Sequence, residues 1–314
     1  MAEPLVSLIL SCSSIPAQVK AAIDAIAATQ PAERIELLLV AWEGLDYRPL
    51  AAGFHSVTNV SFPPAVGLNV ARVEALERAT APIVVCLEDH VRIDGDWVLA
   101  LPGIFARERC AAVGWTTLPG ARESTVSWAG YLAEYGLWGP GTAEGTAHEH
   151  LPGHNTAYDR LALLEYRAEL PSLMRAESLL HWRMRADGRT LYFTPRFTMR
   201  HSQFHRPTHL LVANFWYGWN FGHARRTARR WGLPLRALYA GAIILKPFVR
   251  WRILLGRPRD AREYPRRLLQ RTWPIISAAF LVGAVGEAFG YIFTSRSAPA
   301  RLSHYELGFD RSQS

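Results

Sequence analysis

Residues 82–90, Pro-Ile-Val-Val-Cys-Leu-Glu-Asp-His, constrain the fold more than any other stretch of the chain. Residues 83–87 are apolar or β-branched and do not alternate with polar residues, which is typical of a strand buried on both faces. The strand ends at Glu88, Asp89 and His90. Ligands of open α/β sheets bind at the carboxyl ends of the strands, so this triplet is a candidate site for a divalent cation and a diphosphate-bearing substrate. The alternative is a solvated turn, since Asp and His are common turn residues.

Strand and helix patterns alternate through the first third of the chain. Apolar runs at 5–10, 35–40 and 57–60 predict strands, and the helical periodicity of 18–28 and 67–80 predicts the helices between them. This βαβ order predicts a mostly parallel, doubly wound α/β sheet.

The remaining N-terminal part is less regular. Residues 118–153 are rich in Gly, aromatic and polar residues, and they predict a long binding loop or lid. The aromatic side chains of this region suit stacking on a ring of a ligand, although core packing explains them equally well. They are Trp128, Tyr131, Tyr135 and Trp138. Further predictions are helices at 157–164 and 177–186, extended segments at 191–193 and 197–201, and a loosely ordered tail after residue 298.

Charge and hydrophobicity separate the C-terminal third from the rest. Residues 1–205 hold 17 Lys and Arg against 22 Asp and Glu, a net charge of −5, whereas residues 206–314 hold 18 against 5, a net charge of +13. A basic block indicates nucleic acid or an anionic membrane surface. The same third is the most hydrophobic and carries no nucleic-acid-binding motif, so we expect a membrane surface and no nucleic acid.

The apolar segment 273–293 is long enough to cross a bilayer and contains one charge, Glu287. Whether it spans the membrane, re-enters it or lies flat stays open, because arginines flank it on both sides. The three cysteines show no CxxC spacing, and the N-terminus shows no secretory signal. A reducing cytoplasm therefore fits best.

The order of these motifs resembles family 2 glycosyltransferases, which have the GT-A fold and use nucleotide-diphosphate sugars. The resemblance covers nearly the whole chain and rests on order and spacing more than on any one motif. Its features are the opening strand and loop, Gly67-Leu68-Asn69-Val70-Ala71-Arg72, Glu88-Asp89-His90, His154-Asn155 ahead of a helix, the run from Glu177 through Arg183 and Gly188 to Pro195 and His201, and the membrane-type segment Gly286-Glu287-Ala288-Phe289-Gly290-Tyr291.

The resemblance implies a role for each candidate residue. Glu177 would be the base that deprotonates the acceptor, although a first-turn acid is also favoured by the helix dipole. His154 and Asn155 would contact the acceptor or the donor sugar. A divalent cation, Mn²⁺ or Mg²⁺, would be the cofactor, held by Glu88, His90 and His201, although a His that closes a strand is often structural. The nucleotide-sugar contacts would be Ser11, Cys12, Ser13, Glu43, Arg72, Glu88 and Asp89.

Three departures from the family pattern bear on activity. Glu88-Asp89-His90 replaces the usual Asp-x-Asp, and its imidazole, a softer ligand than carboxylate, favours Mn²⁺ over Mg²⁺. Ala176-Glu177 replaces the usual Glu-Asp pair, so the base is Glu rather than Asp. Ser11-Cys12-Ser13 replaces the common Pro-Thr-Tyr-Asn.

Together these features predict a GT-A-like catalytic domain over 1–205 and a membrane-associated helical region over 206–314. The expected activity is inverting transfer of a sugar from a UDP- or GDP-activated donor to a lipid-linked or surface-polysaccharide acceptor. The expected location is the cytoplasmic face of a bacterial inner membrane. The alternative is a catalytically silent GT-A-like partner in a polysaccharide assembly complex. The donor, the acceptor and the oligomeric state stay open.

Overall fold

The computed structural model describes residues 3–121, 124–146, 148–256 and 266–311. Eight strands form one sheet in the order β3-β2-β1-β4-β7-β6-β8-β5. Their bounds are β1 Val6–Ser11, β2 Ile35–Trp42, β3 Ser56–Phe62, β4 Ile83–Glu88, β5 Val91–Asp94, β6 Ala112–Pro119, β7 Ala157–Asp159 and β8 Leu191–His201.

Strands β3, β2, β1 and β4 are parallel neighbours. Every residue of β1 and β4 is buried, as their unbroken apolar runs predict. Ser11 pairs with Glu88 at the carboxyl ends of these two strands, which places the loops after β1 and β4 side by side. The other half is mixed, because β7 runs antiparallel to β4 and β6, while β6 and β8 are parallel. The predicted α/β sheet is therefore present, with its N-terminal half parallel and its other half mixed.

Helices pack on the sheet and continue into a separate C-terminal layer. The N-terminal helices are α1 Pro16–Thr29, α2 Leu68–Arg78, α3 Trp97–Glu108, α4 Thr125–Glu134, α5 Arg160–Leu164, α6 Leu170–Leu173 and α7 Glu177–Ala186. The C-terminal helices are α8 Pro207–Ala228, α9 Leu233–Ala242, α10 Lys246–Leu255, α11 Arg266–Ile292 and α12 Ala298–Leu307. Helix α8 begins next to the boundary that the charge distribution predicts at residue 205.

Three local predictions were wrong, and a fourth was confirmed and extended. The region 118–153 contains α4, whose first turn is capped by Ser124 through its hydroxyl, which accepts from the Ser127 amide. The predicted helix at 157–164 is divided, because residues 157–159 pair with β4 and β6 as β7 before α5 begins. The extended segments predicted at 191–193 and 197–201 are confirmed, and residues 194–196 join them into one strand, β8. The tail after 298 is not loosely ordered but forms α12, with Pro299 in its first turn.

Glycines allow α8 and α11 to pack with their backbones in contact. A Cβ on Gly286 would lie 2.0 Å from the carbonyl oxygen of Phe215, and one on Gly218 would lie 2.0 Å from that of Gly283. Glu287 is buried between these helices, where Lys246 pairs with it and the Tyr291 hydroxyl donates to it over 2.5 Å. The one charge of the apolar segment is therefore compensated inside the protein.

The C-terminal layer exposes much of its apolar surface. Among the described residues, one helix, Arg267–Ile292, is long and apolar enough to cross a membrane, and about half of its most apolar window is buried in the protein. Large apolar side chains on the neighbouring helices are mostly exposed: Leu233, Leu238, Ile244, Leu245, Phe248 and Val249 on α9 to α10, and Leu281, Val285, Phe289 and Phe293 in and after α11. An apolar surface of this extent indicates an interaction site.

Candidate functional site

Arg72 lies at the centre of a buried polar network at the carboxyl edge of β1 and β4. Its Nε donates to Ser11 Oγ over 3.0 Å, while its other nitrogens lie 3.7 Å from Glu88 Oε1 and 3.5 Å from Glu177 Oε1. The guanidinium is 2% exposed, and its Nη2 has no hydrogen-bond partner among the described residues. Burial acts to lower the pKa of Arg72, but Glu306, Glu88 and Glu177 raise it above its ordinary value. A fixed positive charge with a free donor therefore faces the crevice.

Glu177, the predicted base, begins α7 and pairs with His154. The His154 Nδ1 lies 2.5 Å from Glu177 Oε1. Burial acts to raise the pKa of Glu177, but His154 and Arg72 outweigh it and hold that pKa below its ordinary value. Burial acts to lower the pKa of His154, yet Glu177 raises it to about 9. These shifts favour a carboxylate–imidazolium pair at neutral pH, and Arg72 Nη1, which lies 2.5 Å from His154 Nδ1, is the third charged member of this cluster.

Asp89 holds the loop after β1 in place. Its Oδ2 accepts from the Ser13 amide over 2.7 Å, and its Oδ1 accepts from Gln18 Nε2 over 2.7 Å. The amide of Asp89 donates to the Ser11 carbonyl. The carboxylate is fully buried and its oxygens are used within the protein, so in this structure Asp89 positions the loop.

Cys12 is also buried in this loop, where its thiol donates to the Leu10 carbonyl over 3.4 Å. Burial and the charge of Asp89 raise the pKa of Cys12 well above its ordinary value. The protonated thiol is therefore a small apolar group rather than a nucleophile.

Glu88, His90 and His201 form a three-residue cluster suited to a metal ion. Their nearest ligand atoms all lie within 4.8 Å of one another. Glu88 Oε2 is 3.2 Å from His201 Nε2 and 3.6 Å from His90 Nε2. Burial lowers the pKa of His201 and, with Arg311, lowers that of His90 to about 4. Two neutral imidazoles and one carboxylate fit a divalent ion such as Mn²⁺, which accepts both nitrogen and oxygen ligands.

Asn155 fixes the orientation of Glu88. Its Oδ1 accepts from the Glu88 amide over 3.3 Å, and its Nδ2 donates to Glu88 Oε2 over 3.2 Å and to the Tyr135 hydroxyl over 3.3 Å. The Tyr135 ring also packs against His201, with 4.5 Å between the ring centres and 38° between the ring planes. Asn155 thus supports the cluster by holding Glu88 and Tyr135. Its side-chain amide makes these contacts within the protein, whereas the resemblance predicted a contact with the acceptor or the donor sugar.

The other predicted positions lie apart from the network. Glu43 is exposed beyond the end of β2. Among the described residues it is not a member of the buried network. Trp128, Tyr131 and Trp138 are at most 7% exposed and belong to the core, which agrees with core packing as the explanation of these aromatic residues.

Two further members of the site come from the C-terminal tail. Arg311 Nη1 lies 2.9 Å from His90 Nε2, and Glu306 Oε1 lies 3.5 Å from His154 Nε2. Both side chains are at most 3% exposed. A signal was present in the sequence, because Leu302, Ser303, Glu306 and Leu307 recur at helical spacing between Pro299 and Gly308.

Comparisons with known proteins agree with this fold. No protein-family model and no curated protein sequence matches the chain. Among solved structures, the mannosyltransferase PcManGT from Pyrobaculum calidifontis in complex with GDP-Man and Mn²⁺ is similar, with a TM-score of 0.55, 16% identity, and coverage of 91% of this chain and 88% of that chain. A TarS structure from S. aureus, residues 1–349, matches with a TM-score of 0.46, 12% identity and 90% coverage of each chain. The first likeness shows that the chain shares the fold of this mannosyltransferase, which confirms the predicted GT-A-like fold class.

Proposed function

We propose that the protein transfers a sugar, with inversion, from a UDP- or GDP-activated donor to a lipid-linked or surface-polysaccharide acceptor. The observation that carries this proposal is the buried network in which Arg72 joins the candidate cation cluster at Glu88 to the candidate base Glu177. A leaving diphosphate and an acceptor hydroxyl need these two kinds of group on opposite sides of the reacting carbon. The GDP-Man and Mn²⁺ in the structure of PcManGT support the same choice.

The residues divide the chemistry between them. The acceptor oxygen forms a bond to the sugar C1, the bond from C1 to the diphosphate oxygen breaks, and the acceptor proton passes to the Glu177 carboxylate. Arg72 Nη2, which lacks a partner among the described residues, is free to donate to an oxygen of the diphosphate or sugar. Glu88, His90 and His201 would hold the divalent cation, Mn²⁺ rather than Mg²⁺, which supplies positive charge for the leaving diphosphate.

Glu177 can act as a base only after its pairing with His154 changes, because the ion pair lowers its proton affinity. An acceptor hydroxyl would then take the place of the imidazole next to the carboxylate.

The C-terminal helices support a membrane-bound acceptor. An open cavity of about 690 Å³ lies between α8, α11 and α12, and apolar side chains such as Leu211, Phe215 and Val282 line it together with Arg301. Its size is in the range of ligand-binding pockets. The exposed apolar side chains of α9 to α11 and the net charge of +13 on residues 206–314 suit attachment to an anionic leaflet. We therefore place the protein on the cytoplasmic face of a bacterial inner membrane.

The substitution Glu177→Gln tests the activity. It keeps the shape of the side chain and removes its basicity, so the transfer rate should fall by roughly 10²–10⁴-fold, the usual contribution of a positioned base. Donor binding should change little, because the lost interaction belongs to the transition state. Glu177→Asp should retain part of the activity. Near wild-type transfer by a folded Glu177→Gln variant would place the base elsewhere.

A catalytically silent partner protein is the second candidate, and one observation favours it. The guanidinium of Arg311 occupies the open side of His90 in the candidate cation cluster. This second function would be supported if the wild-type protein, with Glu177 and Arg72 intact, binds a nucleotide sugar but transfers no sugar to any acceptor tested.

A further inference from the structure

The C-terminal lid, residues 298–311, lies across the crevice in which the donor would bind. The amide of Ser14, in the loop after β1, donates to the Leu307 carbonyl over 2.8 Å. The amide of Leu68, at the start of α2, donates to Ser303 Oγ over 2.8 Å. His304 stacks on Trp42 at the end of β2, with 6.3 Å between the ring centres. The lid therefore contacts the carboxyl ends of successive strands, where an open α/β sheet binds ligands.

The lid leaves no room for a nucleotide. The cavity beside Arg72, His154 and Glu306 has a volume of about 20 Å³. Ligand pockets of proteins have volumes of about 300–1,000 Å³. A donor can reach Arg72 and Glu88 only if the lid moves.

Arg311 is the residue of the lid that enters the cation cluster. His90 Nδ1 lies 3.2 Å from Asp89 Oδ1, which suits the tautomer with its proton on Nδ1. The lone pair of His90 Nε2 then accepts from Arg311 Nη1 over 2.9 Å. A metal ion would need the same lone pair. The guanidinium and the metal are thus alternatives at one atom.

Polar and aromatic contacts hold the lid in place, but two of its buried polar atoms lack a hydrogen-bond partner among the described residues. The amide of Arg311 donates to Gln18 Oε1 over 2.8 Å, and its Nη2 donates to the Tyr305 carbonyl over 3.1 Å. Its Nε has no hydrogen-bond partner among the residues that the structure describes. Glu306 Oε1 also lacks one there, and burial raises the pKa of this carboxyl. Buried polar atoms without partners weigh against the closed arrangement and favour its release.

We propose that residues 298–311 are an autoinhibitory lid, with Arg311 holding the place of the divalent cation, which must be displaced before cation and donor bind. The inference rests on the proposed function, since it takes the crevice to be the donor site. When the lid leaves, Glu306 withdraws from His154, so the carboxylate on the other side of the imidazole from Glu177 leaves the site as the donor enters.

Removal of the Arg311 guanidinium tests the lid without any measurement of activity. Binding of Mn²⁺ alone to the full-length protein in detergent is followed by the electron paramagnetic resonance signal of the free ion. Arg311→Ala should bind Mn²⁺ at least tenfold more tightly than the wild type. Arg296→Ala is the matched control, because Arg296 is an exposed arginine just before the lid and should leave the affinity unchanged. Arg301 is also exposed, but it belongs to the lid and contacts Trp216. Unchanged or weaker binding by Arg311→Ala would overturn the proposal.

The accessibility of the lid provides a second measurement in case Arg311→Ala is unstable. Ser303 is only 1% exposed, because it packs against the start of α2. In the variant Ser303→Cys the new thiol should therefore react slowly with a maleimide. Mass spectrometry of the peptide that contains this position measures the labelling. Mn²⁺ with GDP or with UDP should accelerate the reaction several-fold, whereas Arg301→Cys should react quickly in both states. Unaltered or slower labelling of Ser303→Cys with bound nucleotide would refute displacement of the lid.

The two experiments separate the lid from the proposed function. If GDP or UDP binds while labelling stays unchanged, the donor site stands and the lid is wrong. If Arg311→Ala tightens Mn²⁺ binding while neither nucleotide binds, the lid over a cation site stands and the sugar-transfer proposal fails.

Discussion

The pair formed by His154 and Glu177 makes the stability of the protein depend on pH in a defined window. The pKa of His154 rises from its ordinary 6.5 to about 9 in the folded protein. At about 1.36 kcal/mol per pKa unit, this shift corresponds to about 3 kcal/mol. The folded state binds the proton more tightly than the unfolded state, so this stabilisation is fully present below pH 6.5 and is lost as the pH rises through about 9. The imidazole is 18% exposed, so about 3 kcal/mol is an upper value.

The assay is denaturant unfolding of the detergent-solubilised protein at several pH values between 6 and 9, for the wild type and for His154→Gln. The free energy of unfolding of the wild type should fall by up to about 3 kcal/mol across this range, and that of the variant should stay nearly level. The difference between the two proteins removes the contribution of other titrating groups. Parallel curves for wild type and variant would show that His154 is not a charged partner of Glu177, and the ionic arrangement of the site would be wrong.

Two further predictions concern the C-terminal helices. Gly286→Ala places a Cβ 2.0 Å from the Phe215 carbonyl oxygen, so it should lower the free energy of unfolding by roughly 1–3 kcal/mol. The control Gly241→Ala, with open space around its Cβ, should be neutral or should stabilise the protein by up to about 1 kcal/mol. Equal effects of the two substitutions would contradict backbone contact between α8 and α11. In sedimentation with membranes, high salt should leave most of the protein bound and detergent should release it, because salt screens the arginines but not the buried apolar area. Quantitative release by salt alone would argue against apolar insertion.

The sequence predicted the sheet and the position of the site because both depend on local patterns. An unbroken apolar run followed by charged residues marks a buried parallel strand and its carboxyl end, so Glu88 could be placed at this edge of the sheet before the structure was known, whereas the role of Arg72 came from the resemblance. The resemblance added Glu177 and His154, which the structure brings into contact. Their ion pair could not be predicted, because it depends on the exact position of α7 relative to the loop before β7.

The tail was the main failure of the sequence analysis. Arg311 and Glu306 lie 221 and 152 positions from their partners His90 and His154. Contacts of such separation leave no periodicity in the sequence, although the helix that carries Glu306 did leave one. The strand β5 was missed for a similar reason, since its pairing is with β8, the last strand in the chain.

Binding of nucleotide sugars in the presence and absence of Mn²⁺ tests the central claim most directly. UDP- and GDP-sugars are screened by thermal shift with the full-length protein, with Mn²⁺ or with EDTA, for the wild type and for His90→Ala. A donor at 100 times its dissociation constant should stabilise the wild type by about 2.7 kcal/mol with Mn²⁺, and this stabilisation should be lost with EDTA and in His90→Ala. Equal stabilisation by a donor with EDTA, or an unchanged response of His90→Ala, would contradict the assignment of Glu88, His90 and His201 as the cation site of a sugar transferase.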